Sequence, residues 1–337
     1  MKILIFSPAF LPMIGGLENM AYMLAKEWSE AGNAVTIVTN ASKGEFNDEK
    51  ENFVILRNIQ KRNYWKVYLE SDLIFFLNVS LKGIWPTLIK RKNVFVSHQI
   101  TYYNIHGKIN LLEQIKRQIS RIFINISCSN FVRDTLPQKQ GFVIPNAYDS
   151  SIFFSKVDQN IREKDIVFVG RLVSDKGLDT LLHALAIIKR ENNLILGLEI
   201  IGDGPEINYL KRMTKELLLT SQVKFIGKMT GTDLCKKINE HKIMVVPSKW
   251  KEPFGLVALE GLACGCKMVI SKHGGLKEAV GNLADEFENG DEYSLAHAIL
   301  SSLQSPLILR EIVEKHLNRH TAKNISQQYL NLFNKTG

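Results

Sequence analysis

The sequence has few cysteines and no pattern that would pair them. Four cysteines in 337 residues are too few and too scattered for a disulfide framework: Cys128, Cys235, Cys264 and Cys266. Cys264 and Cys266 flank one glycine, which would suit half of a metal site, but no other Cys or His group stands at ligand spacing. We therefore favour small buried thiols in a reducing compartment, and we expect no bound metal.

Long hydrophobic runs are also missing. No apolar stretch approaches the roughly 20 residues that a membrane-spanning helix needs. The first residues, MKILIFSPAF, form an apolar run of strand length without a cleavage-type site. We expect a protein that is neither secreted nor integral to a membrane, with a cytoplasmic location. The 45% hydrophobic and 23% charged residues indicate a globular chain, and its length suits two domains.

Several nucleotide and metal motifs are absent. The sequence contains no P-loop and no Asp-x-Asp metal motif. Residues 201–206, IGDGPE, follow an apolar run but lack the third glycine of a dinucleotide-binding turn, which disfavours NAD and FAD. No aromatic-rich basic motif or known nucleic-acid module is visible, so we expect no nucleic-acid partner.

Positive charge is present in excess and is concentrated in one segment. The net charge is +9, and residues 82–133 carry nine basic side chains against one acid, Glu113. Within this segment, apolar residues recur at three- and four-residue steps and predict a basic amphipathic helix over Ile109–Ile126. Two interpretations stay open: a solvated face over a core stripe, or contact of the helix with an anionic membrane surface.

Short apolar runs alternate with helical patterns along the whole chain, which predicts an α/β fold with doubly wound, mostly parallel sheets. The pattern restarts after a polar linker, Asp158–Asp165, so we predict two Rossmann-like domains facing a cleft. The first comprises residues 1–155 and receives a C-terminal helix at about 315–337, and the second comprises residues 156–314. The predicted strands are Lys2–Ser7, Ala34–Thr39, Phe53–Arg57, Leu73–Leu77, Val94–Ser97, Asn125–Ser129, Phe142–Ile144, Ile166–Val169, Leu196–Ile201, Val223–Phe225, Ile243–Val246 and Met268–Ile270.

The segment Lys251–Val280 carries the clearest functional signal. Pro253–Gly255 reads as a loop, and the apolar residues that follow it recur at helical spacing. Glu252 lies just before this helix and Glu260 about two turns into it. A helix start binds anions through its free N–H groups, and carboxylates bind sugar hydroxyls through charge-assisted hydrogen bonds. Phosphate in the middle with hydroxyls at both ends describes a sugar nucleotide.

Three other positions are candidates with two interpretations each. Arg171 and Lys176 follow a strand in one loop, where they suit a diphosphate or are ordinary surface cations. The pair Gly15 and Gly16 follows the first strand and suits close backbone approach to a phosphate, or is a plain turn. His98 ends a strand, where it is either a structural residue or part of a site.

Seven motifs in this order resemble the GT-B retaining glycosyltransferases of family GT4, and the match covers nearly the whole chain. They are Gly15-Gly16-Leu17-Glu18, His98, Ile144-Pro145-Asn146-Ala147-Tyr148-Asp149, Val169-Gly170-Arg171 with Lys176-Gly177, Ile201-Gly202-Asp203-Gly204-Pro205, Glu252-Pro253-Phe254-Gly255 with Glu260, and Gly274-Gly275 with Glu278. The sequence departs from the usual pattern at Ala147, Gly261 and Cys266. Acceptor contacts are the least transferable part of the resemblance, because the chain is short for this fold.

The resemblance implies a role for each matched residue. Arg171 and Lys176 would neutralise the donor diphosphate, Glu260 would bind the ribose hydroxyls, and Glu252 would bind the donor sugar near its 3- and 4-hydroxyls. His98 would contact the donor sugar or the reacting face. The remaining expected donor contacts are Gly15, Gly16, Gly170, Gly227, Lys228 and the amides of Phe254, Gly255, Leu256 and Val257.

The resemblance also implies a metal-independent, retaining transfer without a further cofactor. The sequence predicts a glycosyltransferase that moves a hexose-type sugar from a UDP- or GDP-sugar to a lipid-linked or saccharide acceptor, in surface polysaccharide or glycolipid assembly at the inner face of a membrane. Two alternatives stay open: a non-transferring enzyme of the same fold, such as a sugar-nucleotide 2-epimerase, or a catalytically silent binding subunit. Donor base, sugar, acceptor, linkage and oligomeric state are not determined by the sequence.

Overall fold

The computed structural model describes residues 1–13, 15–104, 107–156 and 161–336. The chain divides into two compact units. The first comprises Met1–Ala147 and His320–Gly337, and the second comprises Tyr148–Arg319. The division therefore falls between residues 147 and 148 and between residues 319 and 320, where the sequence analysis placed it at 155/156 and 314/315. Of the predicted linker, residues 158–160 lie outside the described residues.

The first unit contains a seven-stranded parallel sheet. Its strands lie in the order β3-β2-β1-β4-β5-β6-β7, and the order reverses between β1 and β4. In open sheets of this kind, ligands bind outside the carboxyl ends of the strands where the order reverses. The strands are β1 (Lys2–Ser7), β2 (Ala34–Thr39), β3 (Val54–Arg57), β4 (Leu73–Leu77), β5 (Asn93–His98), β6 (Ile124–Ser127) and β7 (Phe142–Val143).

Helices connect these strands. They are α1 (Gly16–Glu30), α2 (Lys61–Glu70), α3 (Leu81–Ile89), α4 (Leu111–Ser120) and α5 (Asn130–Asp134). The basic helix predicted over Ile109–Ile126 is therefore shorter than expected. Asn110 caps it by accepting a hydrogen bond from the Glu113 amide at 2.8 Å. The prediction was wrong beyond Ser120, because Ile124–Ser127 pairs in register with β5 as a strand.

The second unit contains a six-stranded parallel sheet with the order β10-β9-β8-β11-β12-β13. Here the order reverses between β8 and β11, which pair in parallel from His241 with Lys164 to Met244 with Val167. The strands are β8 (Lys164–Val169), β9 (Leu198–Ile201), β10 (Val223–Gly227), β11 (His241–Val246), β12 (Lys267–Ser271) and β13 (Ala284–Phe287). The helices are α6 (Leu178–Asn192), α7 (Ile207–Glu216), α8 (Gly231–Asn239), α9 (Leu256–Ala263), α10 (Leu276–Val280), α11 (Glu292–Gln304) and α12 (Arg310–Asn318).

The chain returns to the first unit through α13 (Ala322–Thr336) and completes its core there. Trp28 on α1 packs edge-on against Phe333 at 5.3 Å between ring centroids. The Trp28 indole N–H donates to the Ser326 carbonyl oxygen at 3.3 Å. Burial of such large aromatic side chains dominates core energetics, so α13 stabilises the first sheet although it is last in the sequence.

Candidate active site

The carboxyl ends of β8, β9 and β10 are tied together by close backbone contacts. The Gly170 amide donates to the Ile201 carbonyl oxygen at 3.0 Å, and the Gly202 amide donates to the Gly227 carbonyl oxygen at 2.9 Å. A Cβ atom on Gly202 would collide with the Gly170 carbonyl oxygen. The glycine-rich motif at 201–204 therefore supports the neighbouring loop that carries Arg171.

A second set of contacts joins the loop after β8 to the loop after β11. The amides of Lys249 and Trp250 donate to the Asp175 carbonyl oxygen at 3.0 and 3.2 Å. Gly177 has a φ of +68°, and a Cβ atom there would collide with the Pro247 carbonyl oxygen. This approach brings Lys176, from one side of the point where the strand order reverses, to residues from the other side.

The contact that results is an ion pair between two predicted site residues. Lys176 Nζ donates to Glu252 Oε1 at 2.5 Å. The Ser248 hydroxyl donates to the same oxygen at 2.7 Å. Glu252 and Ser248 are both buried, and a charged pair in a partly dry site interacts more strongly than one in open water. The predicted diphosphate cation and the predicted sugar-binding carboxylate are therefore direct neighbours.

The start of α9 lies immediately after Glu252. Gly255 precedes the helix with a φ of +104°, and no side chain caps its first turn. The backbone of Glu252 is held by a hydrogen bond from the Gly275 amide to its carbonyl oxygen, at 2.6 Å. The helix start therefore presents the amides of Leu256 and Val257 beside the carboxylate, with the partial positive charge of a helix N-terminus. The Phe254 side chain is buried beneath this loop.

Glu260 is in a different electrostatic setting from Glu252. Burial raises the pKa of Glu260 to about 8, and the neighbouring Asp149 carboxylate acts in the same direction. No hydrogen bond to the Glu260 carboxyl group comes from any of the described residues. A partly buried carboxyl group without a hydrogen-bond donor among the described residues is suited to bind hydroxyl groups of a ligand.

The predicted cations differ in their partners. Lys176 is partly buried in its pair with Glu252, whereas Arg171 is exposed and forms no ion pair within the described residues. Lys228 is also exposed and follows Gly227, which has a φ of +90° at the end of β10. Arg171 therefore has its guanidinium available for a ligand, while Lys176 already has one carboxylate partner.

The predicted residues of the first unit lie at the start of α1 and at the end of β5. Gly15 is extended and precedes α1, which begins at Gly16, so the two glycines occupy the predicted strand-to-helix turn. A Cβ atom on Gly15 would lie 2.5 Å from a carboxylate oxygen of Glu18, whose side chain is buried against this turn. Ile14 lies outside the described residues.

His98 is placed differently from the expectation. Its Nδ1 lies 2.6 Å from the Tyr102 hydroxyl, and its Nε2 lies 2.7 Å from Asn125 Oδ1. The Asn125 amide nitrogen donates to the carbonyl oxygens of Ser120 and Phe123, which identifies Oδ1 as the acceptor for Nε2–H. The ring is fully buried and both nitrogens have protein partners, and the expected sugar contact of His98 stays a prediction.

Burial also sets the protonation state of His98. It lowers the pKa of His98 to about 4, against the opposing effect of the bond to Asn125. The imidazole is neutral at neutral pH, with Nδ1 accepting from the Tyr102 hydroxyl. In this arrangement His98 joins β5 to β6 and acts as a structural residue.

The sequence did not indicate Ser248 or Asn289, and it placed Asp149 in a motif without a role. Ser248 follows the buried strand β11 at its carboxyl end, and a polar residue at that position was a signal that could have been used. Asn289 donates through Nδ2 to the Ser248 carbonyl oxygen at 3.1 Å. The effect of Asp149 on Glu260 depends on folding alone, because 110 intervening residues separate them in the sequence.

Within the ranges that the structure describes, no group of three or more His, Cys, Asp or Glu side chains is arranged to hold a metal ion. Among those same residues, no helix is both long and apolar enough to cross a membrane.

Comparison with known proteins identifies the family. The family described as "Glycosyl transferases group 1" matches residues 149–320, which includes all of the second unit except Tyr148 and is slightly more than half of the chain. The chain belongs to this family. The chain is 39% identical over 119 residues to an uncharacterized glycosyltransferase of Methanocaldococcus jannaschii, covering 35% of this chain and 30% of the relative.

Other similarities are broader but weaker in identity. The chain is 32% identical over 242 residues to mannosylfructose-phosphate synthase of Agrobacterium fabrum, covering 62% of this chain and 52% of that enzyme. The chain thus spans about half or less of the length of these two relatives. Its fold matches the Anabaena protein HepE, crystallised with UDP and glucose, with a TM-score of 0.82, 19% identity, and coverage of 99% of this chain and 100% of HepE. The predicted fold class, two Rossmann-like units of the GT-B type, is confirmed.

Proposed function

We propose that this chain is a retaining, metal-independent glycosyltransferase of family GT4 that transfers a hexose from a nucleotide-diphosphate sugar. The observation that carries the proposal is the Lys176–Glu252 ion pair at the open start of α9. The pair lies beside the point where the strand order of the second sheet reverses. It puts a cation for phosphate, helix amides for phosphate oxygens and a carboxylate for sugar hydroxyls next to each other.

Membership of the glycosyltransferase family supports sugar transfer, because the family match covers the unit that carries this ion pair. In the proposed step, the bond between the anomeric carbon and the leaving phosphate oxygen breaks, and a bond from the acceptor oxygen forms on the same face. The acceptor proton passes to the leaving phosphate. Arg171 and Lys176 stabilise the negative charge that develops on the diphosphate, and Glu252 holds the sugar while its ring carries positive charge. Glu260 accepts hydrogen bonds from the ribose hydroxyls.

The proposed acceptor is lipid-linked or a saccharide, and α4 supports presentation of this acceptor at a membrane. Leu111, Leu112 and Ile115 on α4 are 73%, 50% and 41% exposed, so the helix directs apolar side chains to solvent. This excludes the interpretation that its whole apolar stripe is buried in the core. Exposed leucines within a segment of net positive charge are typical of helices that bind anionic bilayer surfaces. We propose peripheral association with the inner face of a membrane.

Donor turnover by the purified chain tests the proposal. We expect release of UDP or GDP with transfer of the sugar, and an anomeric configuration in the product equal to that of the donor. UDP, the nucleotide in the HepE structure, is the first base to test. Arg171→Ala should lower kcat/KM about 100-fold because a developing charge loses its partner. The thermal midpoint should be unchanged because the Arg171 side chain is exposed and forms no ion pair within the described residues.

The matched control is Arg212→Ala, which removes an exposed arginine of α7 in the same unit. It should leave both turnover and thermal midpoint unchanged. Conversion of the donor to an epimerised sugar nucleotide would identify the 2-epimerase alternative. Donor binding without turnover of any donor and acceptor pair would identify a silent binding subunit.

A further inference from the structure

We propose that Ser248 is a positioning residue that orients Glu252 for the donor sugar. With Lys176 it occupies Oε1 of Glu252 and leaves Oε2 to accept hydrogen bonds from hydroxyl groups of the hexose. This inference rests on the proposed function and assigns a specificity role to a residue outside the predicted set. Ser248 acts through Glu252 and does not touch the reacting atoms.

The geometry at Glu252 is asymmetric between its two oxygens. Oε1 receives the Lys176 ammonium at 2.5 Å and the Ser248 hydroxyl at 2.7 Å. Oε2 receives no hydrogen bond from the described residues. A carboxylate can accept about four hydrogen bonds through two oxygens. The unused capacity therefore belongs to Oε2, and the two donors on Oε1 determine the plane in which the carboxylate lies.

Ser248 is suited to this role because its own position is fixed. It is 1% exposed, and its carbonyl oxygen accepts from Asn289 Nδ2 at 3.1 Å. Asn289 Oδ1 accepts in turn from the His273 amide at 2.9 Å, which joins the loops after β11, β12 and β13. A buried hydroxyl on a backbone held in this way loses little entropy when it holds its partner.

The Ser248 bond is needed because Lys176 has two tasks in the proposed reaction. Its ammonium has three N–H donors, and only one of them is used by Glu252 in the structure. When the donor diphosphate binds, the phosphate oxygens compete for this ammonium. The hydroxyl of Ser248 carries no charge and does not compete for phosphate, so it keeps Glu252 oriented while Lys176 moves toward the diphosphate.

An oriented carboxylate also discriminates between sugars. Hydroxyl groups of epimeric hexoses point in different directions, and a site built to hydrogen-bond one hydroxyl loses that bond with the epimer. Without Ser248 the Glu252 carboxylate can turn about its terminal bond and follow either epimer. The expected consequence is a slower enzyme with weaker discrimination between two donors that differ at one hydroxyl.

The test compares Ser248→Ala with wild type on UDP-glucose and UDP-galactose, which differ only at the 4-hydroxyl. For the preferred donor we expect kcat/KM to fall roughly tenfold in Ser248→Ala, mainly through kcat, and the ratio between the two donors to narrow by a similar factor. The Kd for UDP alone, measured by calorimetry, should stay within about twofold, because UDP lacks the sugar that Glu252 holds. Ser248→Thr keeps the hydroxyl and should recover most of the discrimination.

Ser302→Ala is the matched control, since it removes another buried serine hydroxyl of the same unit, on α11. It should leave the donor ratio unchanged. An unchanged donor ratio in Ser248→Ala, or equal losses of UDP and UDP-sugar binding, would overturn the positioning role alone. If wild type binds neither UDP nor GDP, the proposed function itself is overturned and this inference with it.

Discussion

At the scale of single residues, the two glutamates around the start of α9 show how one motif provides two different carboxyl groups. Glu252 has a cation and a hydroxyl on one oxygen. Glu260 has no hydrogen-bonding partner among the described residues and an acidic neighbour, Asp149. Two carboxyl groups in a carbohydrate enzyme first suggest an acid and base pair. Their surroundings instead support separate binding roles, with the charged form of Glu252 already satisfied by the protein.

The raised pKa of Glu260 predicts a pH dependence of stability. A folded-state pKa of about 8, against an ordinary value of 4.5, means that the folded chain holds this proton more tightly than the unfolded chain. The contribution of Glu260 to stability is therefore fully present below about pH 4.5 and is lost as the pH rises toward 8. Glu260→Gln keeps a neutral group and should lose this dependence.

Urea unfolding of wild type and Glu260→Gln at pH 5, 6, 7 and 8 measures this effect. We expect the variant to gain stability relative to wild type at each step up in pH, with the difference levelling off above the folded pKa. Glu216→Gln, at an exposed position on α7, is the control and should show no such trend. A difference between wild type and Glu260→Gln that is constant with pH would contradict the proposed environment.

The sequence allowed prediction of some site residues and not of others. Arg171, Lys176 and Glu252 were predicted because charged residues beside strand ends and glycines form local patterns, and the structure pairs Lys176 with Glu252. The orientation of His98 could not be found, because its burial depends on Tyr102 and on Asn125 from the next strand. Ser248 was missed because its partner, Glu252, lies four residues away in a loop whose path is determined by Gly274 and Gly275.

At the scale of elements, left-handed glycines hold the loops of the second unit in contact. Gly177 combines a φ of +68° with a backbone oxygen at the position of a Cβ atom. We expect Gly177→Ala to destabilise the chain by about 3 kcal/mol. The cost of backbone strain at residue 177 adds to the cost of displacing the loop after β11. The same displacement should move Lys176 from Glu252 and lower donor turnover.

Gly32→Ala is the matched control for this prediction. Gly32 also has a positive φ, +82°, but no atom lies within 4 Å of a Cβ built there. Its substitution should cost only about 1 kcal/mol, from the left-handed backbone alone. Denaturant unfolding of both variants separates the cost of the left-handed backbone from the cost of the collision with Pro247. Equal losses of unfolding free energy would show that the close approach to Pro247 is unimportant.

Buried strands were easier to predict than the edge strand β13 and the C-terminal helices. Buried strands of a parallel sheet read as continuous apolar runs, so the predictions Lys2–Ser7, Ala34–Thr39 and Leu73–Leu77 match the structure at both ends. The strand β13 was missed because its sequence, ADEF, is half polar, as suits an edge strand that pairs only with β12. The C-terminal helix predicted at about 315–337 spans the end of α12 and the whole of α13, which belong to different units.

At the scale of the whole molecule, the repeated strand order explains why function could be argued from half of the chain. Both sheets begin 3-2-1-4 in their own numbering, so each has one place where the order reverses. In the second unit that place carries the ion pair and α9, and the family match covers this unit. The acceptor could not be predicted in the same way, because the motifs of the first unit, Gly15-Gly16, His98 and Ile144–Ala147, are short and separated in the sequence.

The exposed apolar side of α4 predicts that the intact chain binds anionic membranes. Wild type should sediment with vesicles that contain phosphatidylglycerol, and less with phosphatidylcholine alone, because the segment 82–133 is strongly basic. Changing Leu111 and Leu112 together to Ser should weaken binding at least tenfold, since burial of each leucine contributes about 1.5–3 kcal/mol. Lys116/Arg117/Arg121→Glu should abolish the preference for anionic lipid.

The control is Leu218→Ser, at a leucine of the second unit that is 76% exposed. It removes similar apolar surface elsewhere, and the variant should bind vesicles as wild type does. Binding that ignores lipid charge, or that survives both sets of changes on α4, would refute membrane association through this helix while leaving donor turnover in free solution as proposed.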